Sequence, residues 1–455
     1  MKRVFFIGIG GIGMAALARY YMAKGYDVAG YDRTPSALTH ELEAEGAAVT
    51  YTDSINTVPE AFRNPEGTLV VYTPAVPADS NMMSFFSKGF DLHKRAWVLG
   101  HITRNSRSLC FSGTHGKTTT SSMAAHLLSC TEQGCNAFLG GIMKGKYNSN
   151  LVLAPESPWS VVEADEYDRS FHQLTPFIAI VNATDPDHLD IYGTEEAYLE
   201  SFAHFTELIR PDGALLMRKG LKLKPRVPAG VPVFTFGRGE GDYRADNVRA
   251  HDGRMFFDFT GPRGTISDIE LGVPVDVNVD NATSALAALD IAGLLTPELA
   301  REGMASYPGV ERRFEFHLRE AGPHGRVVID DYAHHPDEVS RSVASVRALY
   351  PHRHLTVAFQ PHLYTRTRDF ADQFAKALDA ADSVVLADIY PARELPIPGV
   401  SSNIIYDKLK TADKVIISKE DFVETMKNRN FDILLTLGAG DLSLYVPALV
   451  EKLKA

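Results

Sequence analysis

The sequence contains little cysteine: Cys110, Cys130 and Cys135 are the three in 455 residues. An odd number of cysteines without Cys-x-x-Cys spacing argues against a disulfide framework and against a zinc site built on thiolates. A chain of this length also exceeds a single hydrophobic core and predicts about two to four domains. The cysteine content therefore fits a protein of a reducing compartment.

Long apolar runs are missing as well, because no segment reaches the about 18 consecutive apolar residues that span a bilayer. The basic start of the chain and the apolar residues 4–18 imitate a secretory signal. Glycines at positions 8, 10, 11 and 13 interrupt that run, and no small-x-small cleavage site follows before Lys24. We therefore expect a cytoplasmic protein without integral membrane association.

An excess of positive charge is also missing, since the formal net charge is -11. Nucleic acids and anionic membrane surfaces attract basic patches. We therefore expect no nucleic-acid partner, and any anionic ligand must be bound by local groups.

The most informative segment is a glycine-rich loop between the apolar run Leu109-Cys110-Phe111 and a helical pattern that continues to Leu128. Its residues are Gly113, Thr114, His115, Gly116, Lys117, Thr118, Thr119 and Thr120. Such a loop directs backbone N–H groups and a helix N-terminus at one point, adds a lysine charge and offers a hydroxyl to a metal ion. An ordinary glycine turn is the alternative, but the combination favours a site for ATP or GTP.

A second glycine-rich turn lies near the start of the chain, between a predicted strand at 4–9 and a predicted helix at 11–24. It contains Gly8, Gly10, Gly11, Ile12 and Gly13. Asp32 follows 19 residues after the last of these glycines, at the end of a predicted strand at 27–31. The pattern predicts a site for a diphosphate and a ribose, which leaves NAD and a UDP-sugar both open.

Carboxylates follow two strands of the middle of the chain. Glu163, Asp165 and Glu166 come at the end of a predicted strand at 159–163, where a phosphate-loop protein places the group that orients Mg²⁺. His188 lies among aspartates after a predicted strand at 177–181. A histidine is an unusual Mg²⁺ ligand, but its place at a strand end near the phosphate loop favours a metal or phosphate role over a surface role.

The last part of the chain alternates predicted strands at 326–330, 354–359, 383–387 and 432–437 with helical stretches, which predicts a further parallel sheet. Polar groups are dense after the first two strands, in Asp330 to Pro336 and in Gln360 to Asp369. Arg312-Arg313 precede this block and either contact a phosphate or form a solvated pair. Block boundaries are expected near Ser106 and after the turn at 307–309.

Taken together and in this order, these segments resemble the Mur ligase family of bacterial cell-wall synthesis, over nearly the whole chain. The resemblance implies an α/β protein of three domains: an N-terminal Rossmann-like domain for the UDP-sugar, a central P-loop ATPase-like domain, and a C-terminal Rossmann-like domain that contacts ATP and the amino acid. The corresponding ranges are 1–106, 107–313 and 314–455.

The resemblance also assigns roles to individual residues. The sugar nucleotide would be bound by Gly8, Gly10, Gly11, Ile12, Gly13 and Asp32. ATP would be bound by Gly113, Thr114, His115, Gly116, Lys117, Thr118, Thr119, Asn281, Arg312, Arg313 and Asp331. Two Mg²⁺ ions would be held by Thr118, Glu163 and His188. The amino acid would be surrounded by Tyr332, His334, His335 and Arg366. The catalytic set would be Lys117, His188, His334, His335 and Arg366.

Three departures from the family pattern narrow these assignments. Asp280 and Ser284 flank Asn281 where the family often has a histidine and a second asparagine. Leu363 stands where related enzymes often carry arginine, which makes Arg366 the better partner for the amino acid's carboxylate. Residues 194–210 contain no lysine, so the carbamoylated lysine of other members has no counterpart.

The activity that the resemblance implies is ATP-dependent joining of L-alanine to the lactyl carboxylate of UDP-N-acetylmuramate through an acyl phosphate. Attachment of a whole tripeptide, L-Ala-γ-D-Glu-meso-diaminopimelate, to the same sugar nucleotide is the alternative substrate. The sequence also leaves two other classes of protein open. One is a nicotinamide-dependent oxidoreductase, in which the phosphate loop at 113–120 would have no function, and the other is a nucleotide-gated regulatory protein. A monomer and a homodimer are both compatible with the sequence.

Overall fold

The computed structural model describes residues 2–186, 189–251, 253–320, 322, 325–392 and 394–454. The chain forms two compact units. The first runs to Asp246 and includes Asp258–Ile269 and Asp280–Tyr307. The second comprises Asn247–Phe257, Glu270–Val279 and the chain from Pro308 onward.

The first unit begins with a five-stranded parallel sheet in the order β3-β2-β1-β4-β5. Its strands are β1 (Arg3–Ile7), β2 (Asp27–Tyr31), β3 (Ala48–Thr50), β4 (Thr68–Tyr72) and β5 (Asp91–Lys94). Its helices are α1 (Ile12–Ala23), α2 (Ala37–Ala44), α3 (Asn81–Phe86) and α4 (Arg95–Arg104). The predicted βαβ unit is confirmed, but β1 ends at Ile7 rather than at residue 9, because Gly8 has a φ of 89° and turns the chain.

A second sheet follows in the same unit, with seven neighbouring strands in the order β12-β11-β10-β6-β9-β7-β8. These are β6 (Arg107–Ser112), β7 (Asn136–Met143), β8 (Ser149–Val152), β9 (Trp159–Glu163), β10 (Ile178–Val181), β11 (Ala214–Arg218) and β12 (Val233–Arg238). β6 pairs in parallel with both β9 and β10. The carboxyl ends of these three strands therefore meet at one edge, where α/β sheets bind ligands.

The helices of the middle of the chain are α5 (Lys117–Ser129), α6 (Leu189–Tyr192), α7 (Glu195–Glu207) and α8 (Val277–Ile291). α8 begins four residues before the predicted start at Asn281, and the Asn278 side chain donates a hydrogen bond to the carbonyl of Val273 at 3.1 Å. It ends three residues before the predicted Leu294, ahead of Gly293 with its φ of 78°. Three further strands, β13 (Tyr243–His251), β14 (Arg254–Gly261) and β15 (Gly264–Glu270), lie where the division between the two units passes through the chain.

The second unit contains a six-stranded sheet in the order β16-β17-β21-β18-β19-β20. Its strands are β16 (Glu315–Arg319), β17 (Val327–Asp331), β18 (Leu355–Phe359), β19 (Ser383–Ala387), β20 (Asp413–Ile417) and β21 (Ile433–Leu437). Its helices are α9 (Pro336–Leu349), α10 (Tyr364–Asp369), α11 (Ala371–Leu378), α12 (Asn403–Tyr406), α13 (Phe422–Lys427) and α14 (Val446–Lys454). Only β16 is antiparallel to its neighbour, so the predicted parallel sheet is confirmed.

One apolar cluster of the first unit runs through both of its sheets, from Val4 and Phe6 to Val162 and Val181. Tyr20 on α1 packs edge-on against Phe138 on β7, with 5.4 Å between ring centroids. This packing holds α1 beside the middle sheet. Among the described helices, none combines the length and apolar character needed to cross a membrane.

Candidate functional site

The phosphate loop connects β6 to α5 and is built on two glycines in the left-handed region of backbone space, Gly113 (φ 130°) and Gly116 (φ 82°). A Cβ on Gly113 would lie 2.7 Å from the amide nitrogen of Ala183, which follows β10. The amide of Thr114 donates to the carbonyl of Ala183 at 3.2 Å. The end of β10 therefore holds the loop against the sheet edge, and only glycine fits at position 113.

Lys117, the first residue of α5, folds its side chain back across the loop. Its Nζ donates to the carbonyl of Gly113 at 2.8 Å and to Oε1 of Glu166 at 2.7 Å. Glu166 is 1% exposed, and its Oε2 has no hydrogen-bond partner in the described residues. Burial raises the pKa of Glu166 above its ordinary value, against the opposing charge of Lys117. The sequence did not single out Glu166 as a site residue, yet it is the acidic partner of the loop lysine.

Glu163 lies where a metal-orienting carboxylate was predicted. The Thr118 hydroxyl donates to its Oε1 at 3.2 Å, and the Gly140 amide donates to its Oε2 at 2.8 Å. Burial raises its pKa, which the Thr118 hydroxyl opposes. A hydroxyl and a carboxylate in contact beside a phosphate loop are the oxygen ligands that Mg²⁺ prefers. His188, the third predicted ligand, lies outside the described residues.

Asn281 and Asn182 form a buried amide pair beneath the loop. The Thr120 hydroxyl donates to Oδ1 of Asn281 at 3.2 Å, and Nδ2 of Asn182 donates to the same hydroxyl at 3.0 Å. The Ser284 hydroxyl donates to Oδ1 of Asn182 at 2.9 Å. Asn182 was not predicted, although its place directly after β10 is the sequence signal that would have found it. His115 is exposed on the loop.

The first glycine turn connects β1 to α1. The Gly10 amide donates to Oδ2 of Asp32 at 2.8 Å, and the Thr34 amide donates to Oδ1 at 3.2 Å. Asp32 therefore fixes the turn from the end of β2. The N-cap residue Gly11 provides no side-chain hydrogen bond to α1, and the first turn of α1 contains no acidic residue. The backbone N–H groups of the first turn of α1 are consequently available to an anion.

A cavity of about 290 Å³ lies between these two parts of the first unit. It is lined by Ile12 and Gly13 of the first glycine turn and by Glu163 and Asp165. Asn150 also lines it, and its Nδ2 lies 3.4 Å from the carbonyl of Ile12. The sugar-nucleotide turn and the carboxylate beside the phosphate loop therefore open into one space.

In the second unit, Arg312 and Asp331 are engaged with their own fold. Nη2 of Arg312 donates to the carbonyls of Gly438 at 2.7 Å and Gly440 at 3.0 Å. Oδ1 of Asp331 accepts from the Phe314 amide at 3.2 Å, and burial raises the pKa of Asp331. The described contacts give both side chains a role in tying the segment before β16 to the sheet.

Tyr332 lies between two guanidinium groups. The guanidinium carbon of Arg312 lies 4.8 Å from its ring centroid, and that of Arg313 lies 5.3 Å from it. Both distances are within the range of cation–π attraction. The phenol and both arginines thus form one group, in which Tyr332 follows β17 and the arginines precede β16.

A second polar cluster joins His334, His362 and Arg366, which follow β17 and β18. The rings of His334 and His362 are 5.9 Å apart. Nδ1 of His362 and Nη1 of Arg366 are buried without a hydrogen-bond partner in the described part of the chain. Burial lowers the pKa of His362 to about 4 and also lowers that of His334, which Glu338 opposes. Two unpartnered polar groups in one cluster point to a polar ligand, and His362 is a residue that the sequence reasoning did not assign.

His335 has a different environment from His334. It is the N-cap of α9: its Nδ1 accepts from the Asp337 amide at 3.4 Å, and Glu338 completes a capping box. Its ring packs at 5.2 Å from that of Phe370. The structure therefore gives His335 a helix-capping role and leaves His334 in the cluster with His362.

Models of three protein-family domains match the chain in succession. The Mur ligase family, catalytic domain, matches residues 3–107. The Mur ligase middle domain matches residues 111–289. The Mur ligase, glutamate ligase domain, matches residues 312–440.

Relatives with assigned activities cover the same length. A UDP-N-acetylmuramate--L-alanine ligase of Phocaeicola vulgatus is 53% identical over 98% of this chain and 97% of its own. One from Porphyromonas gingivalis is 50% identical over 98% of each chain. The crystal structure of UDP-N-acetylmuramate-alanine ligase from Thermotoga maritima superposes with a TM-score of 0.79 at 26% identity, covering 100% of this chain and 99% of that one. The α/β fold of three domains is confirmed, and the chain belongs to the Mur ligase family.

Proposed function

We propose that the chain joins L-alanine to the lactyl carboxylate of UDP-N-acetylmuramate, with conversion of ATP to ADP and phosphate, in the cytoplasmic synthesis of peptidoglycan precursors. The relatives that are 50–53% identical over 98% of the chain carry this activity in their names. The observation that carries the proposal is the single cavity shared by the first glycine turn and Glu163. A carboxylate on a UDP-bound sugar needs such a connection to approach the terminal phosphate of ATP.

The reaction proceeds in two steps. A lactyl carboxylate oxygen attacks the γ-phosphorus of ATP, so that ADP leaves and an acyl phosphate forms. The amine of alanine then attacks the acyl carbon, phosphate leaves and the amine loses its proton. Lys117 offsets the charge of the phosphates in the first step, because a carboxylate approaching a polyanion needs concentrated positive charge.

Mg²⁺ fits the residues beside the loop. Thr118 and Glu163 supply a hydroxyl and a carboxylate oxygen that already touch, and Oε2 of Glu166 is buried without a partner. An ion held here would take its other ligands from phosphates and water. The bound ion would neutralise phosphate charge. His188 stays the proposed ligand of a second Mg²⁺.

The cluster of His334, His362 and Arg366 is the proposed site of the amino acid. The buried Nη1 of Arg366 is a suitable partner for its carboxylate. Burial lowers the pKa of His334, so that the ring is neutral and able to accept a proton from the amine. Tyr332 completes this site, and Asn281, Arg312, Arg313 and Asp331 keep their proposed roles toward ATP.

The proposed domains are 1–106 for the UDP-sugar, 107–313 for ATP and 314–455 for ATP and the amino acid. Family-model borders at 107 and 111, and at 289 and 312, support these boundaries. A murein peptide ligase of Psychrobacter arcticus shares the fold with a TM-score of 0.61 at 19% identity, covering 100% of this chain and 99% of that one. Release of phosphate from ATP with UDP-N-acetylmuramate and either L-alanine or the tripeptide tests the choice of acceptor, and we expect release with L-alanine.

A further inference from the structure

Arg95, the first residue of α4, places its guanidinium group in the cavity of the first unit. A Cβ on Gly13 would lie 2.5 Å from Nη1 of Arg95 and 3.3 Å from its Cζ. The guanidinium therefore occupies the space next to Gly13, in the first turn of α1. Any side chain at position 13 would displace it, which gives this glycine a role that the turn itself does not require.

Arg95 is half-buried and, within the described ranges of the chain, makes no hydrogen bond or ion pair. A half-buried guanidinium group without an acidic partner keeps its positive charge and its N–H donors available to an anionic ligand. The carboxylates of the cavity are engaged elsewhere: Glu163 accepts from Thr118 and Gly140, and Asp165 accepts from the Tyr167 amide at 3.1 Å. The side chain is therefore set to receive an anion.

The position of Arg95 indicates which anion it binds. It lies beside the N-terminus of α1, where uncapped N–H groups and the helix dipole favour a phosphate. In a strand–turn–helix unit of this kind the diphosphate of a nucleotide lies at that helix start. The lactyl carboxylate has to reach a different part of the cavity, which is lined by Glu163 beside the phosphate loop.

We infer that Arg95 is a positioning residue that binds the diphosphate of the sugar nucleotide together with the first turn of α1. This inference rests on the proposed function and adds a residue to it. Arginine suits the role because its planar fork makes two charge-assisted hydrogen bonds to phosphate oxygens. By holding the diphosphate, Arg95 sets how far the sugar extends toward Glu163.

Equilibrium binding of UDP to the full chain tests the inference, because UDP has the diphosphate but lacks the N-acetylmuramoyl sugar and its lactyl group. Arg95→Ala is expected to weaken UDP binding about 10- to 100-fold, the loss typical of a paired charged hydrogen bond. Arg95→Lys is expected to lose less affinity for UDP than Arg95→Ala, because lysine keeps the positive charge. Arg104→Ala, on the exposed end of the same helix, is the matched control and should bind UDP as the wild type does. Affinity for ADP should be the same in all four proteins.

Gly13→Ala supplies a second variant that keeps the arginine. Its backbone conformation accepts alanine, but the added methyl group displaces the guanidinium. We expect weaker UDP binding and a raised KM for UDP-N-acetylmuramate, because the displaced guanidinium no longer reaches the diphosphate. Should Arg95→Ala fail to fold, Arg95→Lys carries the test: it should raise the KM for UDP-N-acetylmuramate and leave kcat within about twofold of wild type, because uniform binding is lost.

Unchanged UDP affinity in Arg95→Ala would overturn the inference while leaving the proposed function in place. The same holds if the variant loses affinity for UDP-N-acetylmuramate but not for UDP, since the arginine would then bind the lactyl carboxylate. A wild-type protein that does not bind UDP at all would instead contradict the proposed function.

Discussion

Nζ of Lys117 and Oε1 of Glu166 are joined by a hydrogen-bonded ion pair of 2.7 Å, in which the carboxylate is 1% exposed. The pair holds the loop lysine in place before any phosphate is bound. Lys117→Ala should lower phosphate release by at least about 10²- to 10³-fold, because the transition state loses a preorganised charge. UDP binding should persist. Lys219→Ala, which removes an exposed lysine of the same unit, is the control.

Glu166→Gln tests whether Lys117 needs the negative charge of its partner or only a hydrogen-bond acceptor of the same shape. The amide keeps the shape of the side chain and still accepts a hydrogen bond from Lys117, but it no longer holds the ammonium group electrostatically. We expect kcat to fall about tenfold or more, on the scale of a lost charged hydrogen bond. A wild-type kcat would show that Lys117 needs no partner.

Gly140→Ala tests the proposed metal ligand indirectly. A Cβ at position 140 would overlap the carboxylate of Glu163, so the side chain would have to move away from Thr118. The Mg²⁺ concentration for half-maximal phosphate release should rise, and UDP binding should not change. A titration that matches wild type would remove Glu163 from the metal site.

His334 and His335 are neighbours in the sequence, yet we expect their substitutions to change different properties: the stability for His335 and kcat for His334. His335→Ala removes the N-cap of α9 and should cost about 0.5 to 2 kcal/mol of unfolding free energy, with kcat largely kept. His335→Asn should restore the cap. His334→Gln should lower kcat without a comparable loss of stability, and the two effects are separated by urea unfolding and steady-state kinetics. Equal losses of kcat in both variants would contradict the assignment.

His126 on α5 gives the fold a dependence on pH. Burial lowers its pKa to about 4 from an ordinary value of 6.5. The unfolded chain therefore binds more protons between these values, so the stability associated with the neutral ring is present above about pH 6.5 and is lost as the pH falls toward 4. The drop in urea midpoint from pH 7.5 to pH 5 should be smaller in His126→Gln than in wild type. His101→Gln, on an exposed face, should show the wild-type drop.

The sequence predicted the parts of the site that depend on short-range pattern. Two glycines, a lysine and a threonine at a strand-to-helix junction define the phosphate loop, and its backbone follows from them. The pairing of Lys117 with Glu166 was not predictable, because three carboxylates within four residues do not reveal which one turns inward. Arg95 lies in a helix with no motif, and only the tertiary packing on Gly13 brings it to the cavity.

The sequence around His334 and His335 contains a helix-capping pattern that the sequence analysis did not use. Sequence reasoning placed both in the catalytic set and did not distinguish them. His335-Pro336 followed by Glu338 is the pattern of a capped helix start, with proline at the first helical position and an acidic group at the third. That pattern would have assigned His335 to the cap. The lowered pKa of His334, in contrast, depends on burial by segments that are distant in sequence.

The most direct measurement is phosphate release from ATP by the full chain with each substrate omitted in turn. The account predicts release only when UDP-N-acetylmuramate, ATP and L-alanine are all present, together with a product that retains UDP and has gained one alanine. Release that requires the tripeptide instead of L-alanine, or that proceeds without the sugar nucleotide, would contradict it.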